Sequence, residues 1–533
     1  MRNSQRAWCC MLAYAWFGCS DASHGSTRMD PSGETAGVNG SATGQITTPA
    51  APGTTGTVAG SPGAAIGGSG DSPAGASTAS DSAVRAARGA GSDAPMAGAG
   101  GGSASPAAKD GGGDAAAPMA NDGGVPDTDT APPFEGQGNP WLDAAPKATC
   151  GSGDKPETGV QGAGGDVSCN LIVHGTADVA GSVGHAWYGT CGYVNGAANT
   201  TVIDVSDSAK PRIVTTLTTA GMQNNWESLK ANETRGLLAG YQAYGTVLDV
   251  YDVSADCTRP VLKSSFDIKG GTGHAGQFSP DGTFYYTSNW DSTNAAVDLM
   301  DPSKPKVVTS DFGGTFAHDP FIGKNGTRGY FPSGNTPGGL GSGSLVIVDL
   351  TDIQARVPNA KGRPIKAWNW DDGSVSQYPI AVTYRGRDYV LVSDELGSGN
   401  CDDPAKPPYG YVHMFDIGDE MNPVLTSRIR TEAMGPCKDG KLIGDGFFGV
   451  GTHYCSVDRL DNPRLLACGS FAAGVRVFDI RNPWRPREIA YFSTGGVPGM
   501  PRIRLPEQEL WIASGKYYVL KFANGVLDEL VNE

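Results

Sequence analysis

Leu345-Val346-Ile347-Val348-Asp349 is an apolar run of four that ends in an aspartate, with Leu350-Thr351-Asp352 as a turn behind it. The same shape returns around Asp204, Asp252, Asp298, Asp416 and Asp479, and a seventh copy, Tyr518 to Phe522, carries Lys521 instead. Aligned on that position, successive copies stand 48, 46, 51, 67, 63 and 42 residues apart. Short β-rich runs at such a period are the mark of a radial repeat, in which each unit buries its apolar faces against its neighbours. The expected fold is therefore all-β, a seven-bladed β-propeller of four-stranded blades. The spacing predicts blades over about 184–218, 226–268, 274–312, 318–370, 378–430, 453–493 and 500–525. In each, a Pro-led fourth strand follows the aspartate, as at Pro211 and Pro260. The recurring aspartate reads as structural: a strand-terminal Asp can accept a hydrogen bond from the backbone two residues on and fix the turn.

A ring leaves an open edge on its last blade unless another strand covers it. Asn170 to His174 precedes the first blade and has none of its own, which makes 170–174 the expected closing strand, within a propeller domain of 150–533.

The front of the chain has a different composition. Residues 20–140 are mostly Gly, Ala, Ser, Thr and Pro with scattered Asp, and cannot bury enough apolar area to offset their ordering entropy. They are expected to form a disordered linker, spanning roughly 60 Å as a flexible coil. Residues 1–19 read as a signal peptide: Arg2 and Arg6 form a basic start, and Ala7 to Gly18 an apolar run too short to span a bilayer. The run ends at Gly18-Cys19, which resembles the lipobox of bacterial lipoproteins; that resemblance implies lipidation at Cys19 and a membrane partner through an N-terminal lipid anchor. The expected location is the outer membrane or cell surface, otherwise the periplasm or the exterior.

Eight further cysteines, at positions 150, 169, 191, 257, 401, 437, 455 and 468, read as disulfides in an exported chain. Cys455 and Cys468 flank a hairpin turning at Asp461-Asn462-Pro463, close enough across the strands for a bridge. No two cysteines are spaced C-x-x-C, which argues against a cysteine zinc site.

The Leu345–Asp349 run, its copies and the Pro-led turns resemble the LVIVD-repeat proteins, a bacterial family of extracellular β-propellers, over roughly residues 168 to 525. The resemblance implies the fold and assigns no reaction.

Five residues fall where an inner strand begins: His185, Glu227, His274, His318 (followed by Asp319) and His453. Inner strands surround the channel, so equivalent positions face one another across it. Imidazoles and carboxylates converging there suit a divalent metal ion of the copper or zinc kind. Strand capping explains the same residues without a metal. Asp402-Asp403 offers oxygens for calcium, or only a solvated loop. Trp368, Trp370 and Trp484 suit glycan stacking, or packing between blades. A net charge of −15 argues against nucleic acid as a partner. There is no G-x-S-x-G, no P-loop and no H-E-x-x-H. Two functions follow: a cell-surface interaction module for a protein, glycan or small molecule, or a metal-dependent oxidase or hydrolase working in the channel.

If Cys19 carries the lipid, Cys19→Ala moves the protein from the membrane fraction to the soluble exported fraction. A wild-type protein that is already soluble, and begins at another residue, removes the lipobox reading.

Overall fold

A computed structural model describes residues 144–157, 166–179, 181, 183–289, 294–332, 342–397, 409–431 and 451–531. The signal-like start, the linker, Cys19, Cys401, Cys437 and Asp402-Asp403 lie outside the described residues. Within them the chain forms seven antiparallel sheets, a seven-bladed propeller. Blade one is made of His185–Tyr188, Cys191–Asn195, Thr200–Asp204 and Arg212–Leu217, and six further blades repeat that order. Fourth strands such as Val261–Asp267 are largely exposed, whereas second and third strands such as Leu237–Tyr241 are buried, which sets the outer rim and the interior.

All six repeat aspartates end a third strand and do one job. Asp204, Asp252, Asp298, Asp349, Asp416 and Asp479 accept the N–H of Ser206, Ser254, Met300, Thr351, Gly418 and Arg481, at 2.8 to 3.1 Å. Each turn is thereby capped two residues on. The second carboxylate oxygen often meets a cation from the fourth strand, as Asp204 meets Arg212 at 2.6 Å and Asp479 meets Arg487 at 2.9 Å, whereas Asp416 meets Arg387 of the second strand at 2.7 Å. In blade seven the charges are exchanged: Lys521 pairs at 3.0 Å with Glu509 on the facing strand. A register shift lies between the third and fourth strands of every blade. Such bulges increase local twist, which a wedge-shaped blade needs.

The ring is joined by the chain that precedes blade one. Leu171–Ala177 pairs with Tyr517–Phe522 as the outer strand of blade seven, while Val167–Cys169 adds a fifth strand to blade six. One residue separates the two strands. Asn170 takes a left-handed φ of 55° and donates from its side chain to the carbonyls of Thr149 and Ile489, so the chain turns there from one blade to the next. Apolar contacts run between neighbouring sheets around the ring. Blades seven and one meet through Trp511, Tyr517 and Val519 against Val194 and Ile203.

Disulfides join Cys150 to Cys169, Cys191 to Cys257 and Cys455 to Cys468. The last lies on facing residues of the hairpin; the second ties blade one to blade two. Such bonds are compatible with a location outside the cytoplasm. Among the described residues no helix is long and apolar enough to cross a membrane.

Candidate metal centre

Because first strands all run the same way along the channel, their beginnings gather at one end of it, and so do the ends of the antiparallel second strands. His274 lies in Gly273–Phe278, the first strand of blade three, and His453 in Thr452–Val457 of blade six. Glu227 sits in a single 3-10 turn, Trp226–Ser228, ahead of the first strand of blade two. His318 likewise precedes its strand, Phe321–Gly323. Glu395, near the end of the second strand of blade five, joins them.

These five side chains form two overlapping groups whose ligand atoms all lie within 4.8 Å of one another: Glu227, His274 and His318, then Glu227, Glu395 and His453. All five are buried. His274 Nε2 stands 2.9 Å from Glu227 Oε2 and 3.2 Å from His318 Nε2. His274 Nε2 thus lies between a carboxylate oxygen and a second imidazole nitrogen. His453 Nε2 stands 3.1 Å from Glu227 Oε1 and 3.4 Å from Glu395 Oε1. Gln377 adds a hydrogen bond to Glu227 Oε1 at 2.9 Å.

The environment sets the charges. Burial works to raise the Glu227 carboxyl, but His274, His453 and His318 outweigh it and hold it well below the usual carboxylate range. Burial pushes Glu395 up, against the hydrogen bond from His453. Burial would lower His453, yet its bonds to Glu227 and Glu395 raise it to about 9. His318, desolvated and beside His274, falls to about 3 and is a neutral imidazole. Three imidazoles and two carboxylates, with no thiolate, are the donor set of zinc, copper(II), iron or manganese.

Backbone strain accompanies this arrangement. Trp226, immediately before Glu227, has φ 28°, and Val375, two residues before Gln377, has φ 53°. A bulky and a β-branched residue in the left-handed region are costly, and such outliers gather at functional sites. The Trp226 ring also meets His274 edge-on at 6.0 Å.

Of the residues singled out in the sequence, His185 and Asp319 are in neither group. His185 Nδ1 donates to the Met500 carbonyl at 2.7 Å, and its ring lies against Trp187 and Tyr517. Burial lowers it to about 4. Asp319 Oδ2 receives Lys230 Nζ at 2.9 Å and the Tyr454 hydroxyl at 2.8 Å. Burial, against the pull of Lys230, raises this carboxyl to about 6. Lys230 also donates to the Glu227 carbonyl at 2.5 Å, so the pair braces the strained turn from behind. His185, Trp226, Glu227, Lys230, Tyr454 and Met500 line a small cavity beside the centre, facing blades seven and one. A third group, Cys150, Asp154 and Cys169, offers no thiolates while its cysteines are bridged.

No protein-family model matches the sequence, and no curated protein matches it. Among solved structures, the chain is similar to the β-propeller domain of Cps50 (Swd1) from Myceliophteria thermophila. That likeness has 10% identity and a TM-score of 0.46, and covers 66% of this chain and 100% of that one. It is also similar to hydrazine synthase from Kuenenia stuttgartiensis, at 13% identity and a TM-score of 0.46, covering 66% and 98%.

The sequence gives His413 no role, since it lies inside a blade strand. In the structure it is fully buried between two carboxylates, Asp372 at 3.0 Å and Asp394 at 2.9 Å. Arg428 and Tyr411 also bond Asp372, and Trp370 donates to Asp394 at 2.8 Å. Trp368 and Trp370 both pack on Phe415, so neither is a free stacking surface. Burial would lower His413, but Asp372 and Asp394 raise it to about 9. Its folded pKa therefore exceeds the unfolded value of about 6.5, and the stability it contributes is full below that value and lost as pH rises through about 9. The loss is on the order of 3 kcal/mol. Thermal melts of the wild type are expected to fall across this window, and a His413→Gln protein, less stable throughout, to lack that decline. Parallel profiles for the two proteins contradict the assignment.

Proposed function

We propose that this chain is a metal-dependent enzyme of the LVIVD-repeat propeller type, exported and lipid-anchored through Cys19, with a first-row transition metal in its channel. One observation carries the reading: Glu227, His274, His318, Glu395 and His453 converge from five consecutive blades as two overlapping groups of three, the ligand atoms of each within 4.8 Å of one another. Burying this many ionisable groups costs several kcal/mol each unless they are paired, and an apolar channel would be cheaper. Trp226 and Val375 add strain in the two blades that supply the carboxylates and Gln377. A ring that served only to present its outer surface would gain nothing from either feature.

The donor set supports Lewis-acid or oxygen chemistry, hence a hydrolase or an oxidase. The cavity at His185, Lys230, Tyr454 and Met500 is the side from which a small molecule would approach. The other reading, a cell-surface interaction module, draws on the propeller architecture itself, which hosts many unrelated functions.

Elemental analysis of the purified exported protein separates the two. Stoichiometric transition metal is expected in the wild type, lost in Glu227→Gln and in His274→Ala, and kept in a variant of His174, which lies on the closing strand outside the channel. A wild-type protein that takes up no stoichiometric metal after exposure to zinc, copper, iron and manganese overturns the enzyme reading and leaves the interaction module.

A further inference from the structure

We propose that the channel holds two metal ions, bridged by Glu227 and Glu395. The pair rests on the reading of the channel as a metal site and goes beyond it in number, bridging and chemistry.

The inference comes from how each carboxylate divides its oxygens. Glu227 Oε2 faces His274 Nε2 at 2.9 Å, while its Oε1 faces His453 Nε2 at 3.1 Å. Glu395 repeats the division: Oε2 lies 3.9 Å from His318 Nε2, and Oε1 lies 3.4 Å from His453 Nε2. His274 and His318 bring their Nε2 atoms to 3.2 Å, so they belong together. Two coordination sets result. One holds His274, His318 and Glu227 Oε2, with Glu395 Oε2 at its edge, 3.9 Å from His318 Nε2; the other holds His453, Glu227 Oε1 and Glu395 Oε1.

Ligands about 2.0–2.2 Å from a common ion stand roughly 3–4 Å apart, the spacing of His274 from Glu227 and His318 and of His453 from both glutamates. A single ion would take one oxygen from each carboxylate and leave the oxygens on the other side facing a histidine with no metal between them. Two ions use every inward-facing atom. Bridging carboxylates set ions about 3.5–4 Å apart, the separation at which two-metal sites share an oxygen ligand and stabilise attacking and leaving oxygens together. The second set has fewer protein donors than the first, and the cavity at His185, Lys230 and Met500 adjoins Glu227, which both sets share. The ion held by His453 is therefore the one with positions left for water or substrate.

The test is a titration of the metal-stripped, full-length protein with copper(II), read by elemental analysis after desalting and by electron paramagnetic resonance. Two ions per chain are expected, with the resonance signal integrating to well under two spins because the bridged ions couple. His453→Ala is expected to retain one ion with an uncoupled signal integrating to one spin, circular dichroism confirming the fold. One ion per wild-type chain at saturation, with a full one-spin signal, overturns the pair and leaves a mononuclear metal site standing. No bound ion overturns both. Two ions whose uptake and signal are unchanged in both His453→Ala and Glu395→Gln place the second ion elsewhere and overturn the bridge.

Discussion

Closure of the ring is the constraint on which the rest depends. Seven wedge-shaped sheets form a channel only if blade seven meets blade one. Two interactions hold that seam: the ladder between Leu171–Ala177 and Tyr517–Phe522, and the apolar contact of Trp511 and Tyr517 with Val194 and Ile203. Neither is local in sequence, so the loop-closure cost is met only when the whole chain has folded. The turn at Asn170 lets one short stretch serve blades six and seven together. Once the ring is closed, five blades place a side chain at the same end of the channel with no loop needed to bring them there.

Closure also decides the electrostatics. In a splayed ring the carboxylates of Glu227 and Glu395 would be hydrated and ordinary. Inside the closed ring they are buried against three imidazoles, and the groups settle into paired states in which one carboxyl is pulled down and the other pushed up. The channel end thus has an arrangement of protons that a metal ion can replace. The His413 cluster shows the contrast: both ring nitrogens are occupied by carboxylates, so it holds a charge in place and has no lone pair to offer a ligand.

The fold was legible because each third strand repeats the same chemistry, an apolar run closed by an aspartate that caps its own turn. A period of such runs admits few architectures. The fifth strand of blade six was not legible, since Val167–Cys169 is three residues long and gains its meaning only from Tyr491 and its neighbours across the sheet. At the site, position in the repeat pointed to Glu227, His274, His318 and His453, but it could not fix side-chain direction. His185 shares the position and turns to the Met500 carbonyl, and Asp319 turns to Lys230. Glu395 is not legible from that position, because it lies at the end of a second strand and not at the beginning of a first. The antiparallel return makes the end of a second strand an equal neighbour of that mouth, and Asp394-Glu395 was the signal available there.

Whether these five side chains hold metal is read from an anomalous difference map of crystals soaked in zinc or copper, collected at the metal edge. Strong peaks are expected between Glu227, His274, His318, Glu395 and His453, at about 2.0–2.2 Å from the coordinating atoms. A map empty there, with His453 still hydrogen-bonded to Glu227 and His274 still beside it, would contradict this and reduce the cluster to a structural network of buried charges.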